Sequence, residues 1–218
     1  NFNKKNFIKG LTTNPTLMKK SGVKNYSEFA KKILKKVTIK PISFEVFADD
    51  EKSMYKQAKE ISTWGKNVYV KIPVTNTRGV GCYNLIKKLS NENIKLNVTA
   101  IFTNNQVTKV INSLNMNTKS IISIFAGRIA DTGIDPSLLI SFCLKNLKLK
   151  KNKKCEVLWA STREIYSIIA AEKLGCHIIT VPNNILSKIN LIGKNLNSYS
   201  LETIKDFYKD AKLAGFKI

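Results

Sequence analysis

Short β-branched and aromatic segments alternate with helical segments along the whole chain, and this alternation restricts the fold more than any other feature. Segments of strand type fall at 10–15, 42–47, 68–73, 96–102, 121–126, 156–160 and 177–181. No hairpin signal joins neighbouring strands, and no Gly/Ser-rich or Pro-rich linker divides the chain, so a parallel sheet covered by helices is expected. Two architectures fit: a closed (β/α)8 TIM barrel, or an open doubly wound sheet. Neither G-x-G-x-x-G nor G-x-x-x-x-G-K-[ST] occurs, which takes weight from nucleotide-binding open sheets. The reading is therefore an α/β chain forming one barrel domain over residues 1–218, with a further helix at the C-terminus. Seven strands are visible, so the barrel's first strand is placed upstream of Asn1.

The helical segments have identifiable starts. A basic, helical stretch is expected before Gly10, and a helix over 26–37 puts Phe29, Ile33 and Leu34 on one face. Asp49 and Asp50 open a helix that reaches Thr63, and a loop over 75–79 leads to another over 83–89. Thr103 or Asn104 caps a helix to Leu114. Asp135-Pro136 opens one to Leu149, with proline suited to a first helical position. Further helices are expected over 163–174 and 201–213, the last carrying Leu201, Ile204, Phe207 and Tyr208 at helical spacing.

Composition removes several function classes. No apolar run approaches the roughly 18 residues needed to span a bilayer, and no signal-peptide pattern stands near Asn1, which predicts a cytoplasmic protein. Cys82, Cys143, Cys155 and Cys176 show no C-x-x-C spacing and read as reduced, mostly buried thiols. With His177 as the single histidine, at the start of an apolar strand, no metal site is expected. The net charge of +22 invites a nucleic-acid reading, but the lysines are dispersed over nearly every helical segment and form no single arm. We read them as a solvated surface that steers anionic substrates, with no nucleic-acid partner.

One lysine does not belong to that surface. Lys71 lies inside the apolar strand 68–73, where it either reaches solvent or is retained for chemistry. Burial favours the neutral amine, a nucleophile that can form a Schiff base with a carbonyl. Alternation along each strand sends neighbours to opposite faces. Placing Phe44, Val46, Val70, Ile72, Leu96, Val98, Ala100, Ile122, Ile124, Leu158 and Ala160 against the helices turns Glu45, Lys71, Asn97, Thr99, Ser123, Phe125, Trp159 and Ser161 inward. These inward residues approach the strands' C-terminal ends, where barrels of this kind carry their chemistry. Serine and threonine can simply satisfy nearby backbone, but a buried Glu and Lys must serve each other or a substrate. Arg128 and Arg163 follow strand ends beside Ser123 and Ser161 and suit a phosphate, whose oxygens match the guanidinium fork.

These segments resemble a known family. T-T-N-P at 12–15, S-F-E-V at 43–46, V-K-I-P at 70–73, L-N-V-T-A-I-F at 96–102, F-A-G-R-I-A-D at 125–131 and A-S-T-R-E at 160–164 are similar to the motifs of transaldolases. The likeness is to the small-subunit branch, which includes fructose-6-phosphate aldolase, and it covers essentially the whole chain in order. It implies a (β/α)8 barrel and a cofactor-free class I mechanism in the pentose phosphate pathway. Lys71 matches the Schiff-base lysine that attacks the ketone of sedoheptulose 7-phosphate or fructose 6-phosphate, from which a dihydroxyacetone unit passes to an aldose phosphate. By the same resemblance Glu45 and Thr99 hold the catalytic water. Asn14 and Asn97 hold substrate hydroxyls, Ser123 and Phe125 line the site, and Arg128, Ser161 and Arg163 bind phosphate. Aldolase-like members tend to carry glutamine in place of Glu45 and tyrosine in place of Phe125, so both positions side with transaldolase. The acid/base aspartate of the family's first strand has no counterpart in this sequence. The alternatives are a fructose-6-phosphate aldolase, or a catalytically impaired basic binding protein on the same fold. The resemblance also implies a homo-oligomer, a pentamer or decamer, held by the C-terminal helix.

Overall fold

The computed structural model describes residues 5–20 and 22–217. Its strands are β1 (Leu11–Thr12), β2 (Ile42–Glu45), β3 (Val68–Pro73), β4 (Leu96–Ile101), β5 (Ser120–Ile124), β6 (Cys155–Trp159) and β7 (Ile178–Ile179). They form one sheet in the order β1-β2-β3-β4-β5-β6-β7, every neighbouring pair parallel. A doubly wound sheet reverses its strand order partway, whereas here each strand is laid beside the one before it. Right-handed crossovers then place every connecting helix on the same side. The result is a curled, barrel-type α/β sheet with β1 and β7 at its ends, which decides between the two architectures the sequence left open.

The helices are α1 (Pro15–Lys20), α2 (Tyr26–Leu34), α3 (Glu51–Ser62), α4 (Tyr83–Asn91), α5 (Asn104–Ser113), α6 (Ala126–Ala130), α7 (Ser137–Leu149), α8 (Tyr166–Lys173), α9 (Asn183–Leu186) and α10 (Leu196–Ala214). Local chemistry starts several of them. Asp50 accepts the Ser53 N–H at the head of α3, and Thr103 and Gln106 form a reciprocal capping box on α5. Asp135 accepts both the N–H and the hydroxyl of Ser137 at α7. Asp49 does something else: its carboxylate accepts the Thr77 N–H at 2.7 Å and the Thr77 hydroxyl at 2.6 Å, binding the loop after β2 to the loop after β3.

Several expectations need correction. The residues before Gly10 that are described form bends and turns, not helix; Asn1 to Lys4 lie outside the described residues. α2 ends at Leu34, α8 begins at Tyr166, and α10 begins at Leu196. Residues 126–130 turn into α6 directly after β5, which the apolar pattern had extended to Ala126 as strand. The loop after β3 closes on itself through an antiparallel bridge between Thr75 and Gly81, a small hairpin where none was expected.

The core lies between sheet and helices. Phe44, Val70, Ile72, Leu96, Val98, Ile122 and Ile124 are fully buried there, as alternation predicted. Two strands depart from it. In β4, Ala100 adopts φ +60°, the register to β5 shifts between Val98 and Ile101, and Ile101 takes the core place expected of Ala100. In β6 the faces are reversed: Val157 pairs with Ile122 and Trp159 with Ile124, so both join the helix side. Leu158 and Ala160 face the concave interior with Tyr69, Ile121, Phe125 and Ile178. The apolar run Val157-Leu158-Trp159-Ala160 has no polar marker, so only pairing with β5 sets its phase. His177 has a packing role, accepting the Val157 N–H at 2.9 Å through Nδ1.

Candidate active site

Register lays out the site. Glu45 stands opposite Lys71, and Lys71 opposite Asn97, across β2, β3 and β4. Partners in a parallel ladder point to the same face, so these polar side chains share the concave side. Lys71 Nζ donates to Glu45 Oε2 at 3.0 Å and to the Thr13 carbonyl at 3.4 Å. Lys71 is 8 % exposed and the Glu45 side chain 16 %, so the pair has little contact with water. Desolvating both charges is costly unless they are held against each other, and here they are. An amine attacks a carbonyl only after losing a proton, and the Glu45 carboxylate is within reach of that proton.

On the same face, Asn97 Nδ2 donates to Ser43 Oγ at 3.0 Å, while Asn97 Oδ1 and Thr99 Oγ1 are buried and lack a hydrogen-bond partner. An unpaired buried polar atom costs about 1–3 kcal/mol. Two of them near one lysine indicate a place that takes a hydroxyl-bearing ligand or water. Ser123 is buried on the same face, opposite Leu158. Asn14, half-buried at the end of β1, follows the Thr13 carbonyl that Lys71 reaches, and its own carbonyl accepts the Met18 N–H. Phe125 packs on the interior apolar cluster, its ring centroid 5.7 Å from that of Phe102.

The arginines are sparse and placed alike. Of 37 basic residues three are arginine, Arg78, Arg128 and Arg163, and each follows the C-terminal end of a strand. Arg128, on α6, holds its guanidinium 5.7 Å from the Phe125 ring centroid. Arg163 is occupied: its Nε lies 3.0 Å from both carboxylate oxygens of Asp131, and Nη2 also contacts Oδ2. This guanidinium holds the Asp131 carboxyl below its ordinary range. A close approach brings the arginine segments together. The Gly127 N–H donates to the Ala160 carbonyl at 3.2 Å, and a Cβ on Gly127 would fall 1.7 Å from the Ser161 carbonyl oxygen and 3.2 Å from Arg163 Cγ. Ser161 itself adopts φ +65°, a conformation that costs a non-glycine residue about 1–2 kcal/mol. Its expected inward position rested on strand alternation, which ends before it.

Sequence reasoning thus located Glu45, Lys71, Asn97, Thr99 and Ser123 on one face. It did not find the Arg163–Asp131 pair, although Asp131 closes the quoted F-A-G-R-I-A-D segment, nor the need for glycine at 127. Tyr26, read only as a helix start, accepts the Glu45 N–H through its hydroxyl at 2.7 Å. No local pattern signals that contact.

Fold and site together define a barrel-type α/β protein whose polar residues gather at the C-terminal ends of its strands. The chain belongs to the Transaldolase/Fructose-6-phosphate aldolase family, whose model matches residues 1–218. It is 35 % identical over 211 residues to a protein named "Probable transaldolase" of Thermoanaerobacter sp. (strain X514), covering 97 % of this chain and 90 % of the relative. A protein of the same name from Methanococcus maripaludis (strain C7 / ATCC BAA-1331) is 37 % identical over 188 residues, with 86 % and 82 % covered. That of Nitrosopumilus maritimus (strain SCM1) is 32 % identical over 209 residues, with 95 % and 89 % covered. Among solved structures, a mandelate oxidase mutant with a monooxide FMN adduct superposes with a TM-score of 0.51 at 12 % identity. It covers 72 % of this chain, which spans about half (51 %) of that oxidase, and the likeness is one of fold alone. Among the described residues no helix is long and apolar enough to cross a membrane, and no group of His, Cys, Asp and Glu is placed to hold a metal ion.

Proposed function

We propose that the chain is a transaldolase that moves a dihydroxyacetone unit from fructose 6-phosphate or sedoheptulose 7-phosphate to an aldose phosphate, through a Schiff base on Lys71. The observation that carries this reading is the nearly dry Lys71–Glu45 pair at 3.0 Å, sharing its sheet face with the unpartnered Asn97 Oδ1 and Thr99 Oγ1. Lys71, having passed a proton to Glu45, adds to the C2 carbonyl, and loss of water gives a protonated imine. The C3–C4 bond then breaks with its electrons drawn into the imine, so that an aldose phosphate leaves and an enamine remains. The enamine carbon attacks the acceptor aldehyde, and hydrolysis frees the lysine.

Glu45 and Thr99 hold the water that moves protons to and from nitrogen and oxygen, and Asn14 and Asn97 hold substrate hydroxyls. Ser123 and Phe125 line the cavity, while Arg128, Ser161 and Arg163 take the phosphate, Arg163 exchanging Asp131 for it. No cofactor enters this chemistry. The reading places the reaction in the cytoplasm and the pentose phosphate pathway. It includes a homo-oligomer, pentameric or decameric, because α10 leaves Ile204, Phe207 and Tyr208 about 60 % exposed on one helix (59 %, 64 % and 63 %).

The test is borohydride reduction with fructose 6-phosphate followed by peptide mapping. A mass adduct is expected on Lys71 and none on Lys71→Ala. Turnover of fructose 6-phosphate that ignores added erythrose 4-phosphate would instead identify a fructose-6-phosphate aldolase, the other activity in the family's description.

A further inference from the structure

The ladder between β1 and β2 stops one rung early. The Leu11 N–H donates to the Pro41 carbonyl and the Thr13 N–H to the Ser43 carbonyl. Parallel ladders advance by two residues, so the next rung would join the Glu45 N–H to the Thr13 carbonyl. That rung is not made. Glu45 N–H donates instead to the Tyr26 hydroxyl at 2.7 Å, and the Thr13 carbonyl accepts from the Thr12 hydroxyl at 3.3 Å and from Lys71 Nζ at 3.4 Å.

Proton directions follow from the inventory of donors. Thr13 Oγ1 donates its one proton to the Ser43 carbonyl at 3.0 Å, so in its 3.3 Å contact with Tyr26 it accepts. A directed chain results: Glu45 N–H to Tyr26 O–H, to Thr13 O–H, to the Ser43 carbonyl. Both residues on which Lys71 Nζ rests, Glu45 and Thr13, are therefore fixed by one phenol. The ring is locked in turn, making edge contacts with Phe44, Phe47 and Trp64 at 6.0, 4.6 and 5.7 Å between centroids. Burial holds the phenol neutral by raising it above the ordinary tyrosine range. The charged group that faces it is Glu45, which also faces Lys71.

We propose that Tyr26 is a positioning residue for the Lys71–Glu45 pair, replacing a sheet rung so that the Thr13 carbonyl and the Glu45 carboxylate both turn to Nζ. As a statement about catalysis it rests on the Schiff-base reading above, but its test does not require activity. The measurement is trace acetylation of native protein at one fixed pH, with the Lys71 peptide quantified by mass. In Tyr26→Phe, which keeps the ring, labelling of Lys71 is expected to rise several-fold, because carbonyl and carboxylate relax away from the amine. Thr13→Val interrupts the same chain from the β1 side and raises the labelling likewise. Trp64→Phe, which keeps an aromatic contact on the ring and every hydrogen bond of the chain, leaves it unchanged.

If wild type turns over fructose 6-phosphate, Tyr26→Phe lowers kcat about tenfold with KM within about twofold. Lys71 labelling unchanged in Tyr26→Phe overturns the proposal, and so does an equal rise in Trp64→Phe. A wild type that forms no fructose 6-phosphate adduct, with the rise still seen in Tyr26→Phe, rejects the transaldolase reading and keeps Tyr26 in its role.

Discussion

Asp131 holds Arg163 in an exposed ion pair, and this pair yields the sharpest test of the phosphate assignment. Asp131→Asn removes the competing charge, so the KM for fructose 6-phosphate is expected to fall a few-fold in steady-state assays. The sign of its pH dependence follows from the carboxyl being held below the ordinary 3.8. Asp131 stays ionised above that value and is neutralised only as pH falls through its lowered one. The advantage of Asp131→Asn therefore persists across neutral pH and vanishes only in acid. Gly127 makes a different prediction. A methyl group 1.7 Å from a backbone carbonyl cannot be accommodated by a side-chain move, so Gly127→Ala is expected to destabilise the protein by on the order of 3 kcal/mol in denaturant titrations. Lys71 and Glu45 were legible because two charges in apolar strands stand out. Asp131 and Gly127 were not, because their partners lie about thirty residues away in sequence.

Strands whose two faces differ in chemistry were readable from their own residues. β2 and β3 alternate Phe44 and Val70 against Glu45 and Lys71, and the structure keeps both phases. β6 has no such contrast, and its phase came from β5. The hairpin at 75–81 likewise depends on a distant residue, since Asp49 ties down Thr77. Asp49→Ala is expected to free the hairpin, and trypsin at pH 8 should then cut after Arg78 several-fold faster, as gel or mass analysis would show. Thr77 holds the Asp49 carboxyl below its ordinary 3.8, so this restraint is complete at neutral pH and is lost as pH falls through the lowered value.

The assembled molecule presents a sheet ending at β1 and β7, a strongly basic surface and a terminal helix without a buried residue. α10 exposes Leu196, Leu201, Ile204, Phe207, Tyr208 and Leu213, an apolar load better suited to another subunit than to water. Light scattering is expected to give a mass several times that of one chain, and Phe207→Lys with Ile204→Lys to reduce it to the single-chain value. A mass equal to one chain for the wild type would refute the oligomer. The charge of +22 acts over longer distances. If it steers phosphorylated sugars, their KM should rise as salt goes from about 0.01 M to 0.15 M, over which the screening length shrinks from about 30 Å to 8 Å.

The alternation of strands and helices, the place of Lys71 inside an apolar strand and the shared face of Glu45, Asn97 and Thr99 were determined by the sequence alone. A period of two residues or of nearly four is a local property, set by backbone geometry before any tertiary contact forms. The reversal of β6, the bulge at Ala100, the pressing of Gly127 on Ser161 and the Tyr26 rung were decided only by the folded chain. Each joins groups distant in sequence, and a hydrogen bond or a close contact exists only once the whole sheet has brought its two sides together.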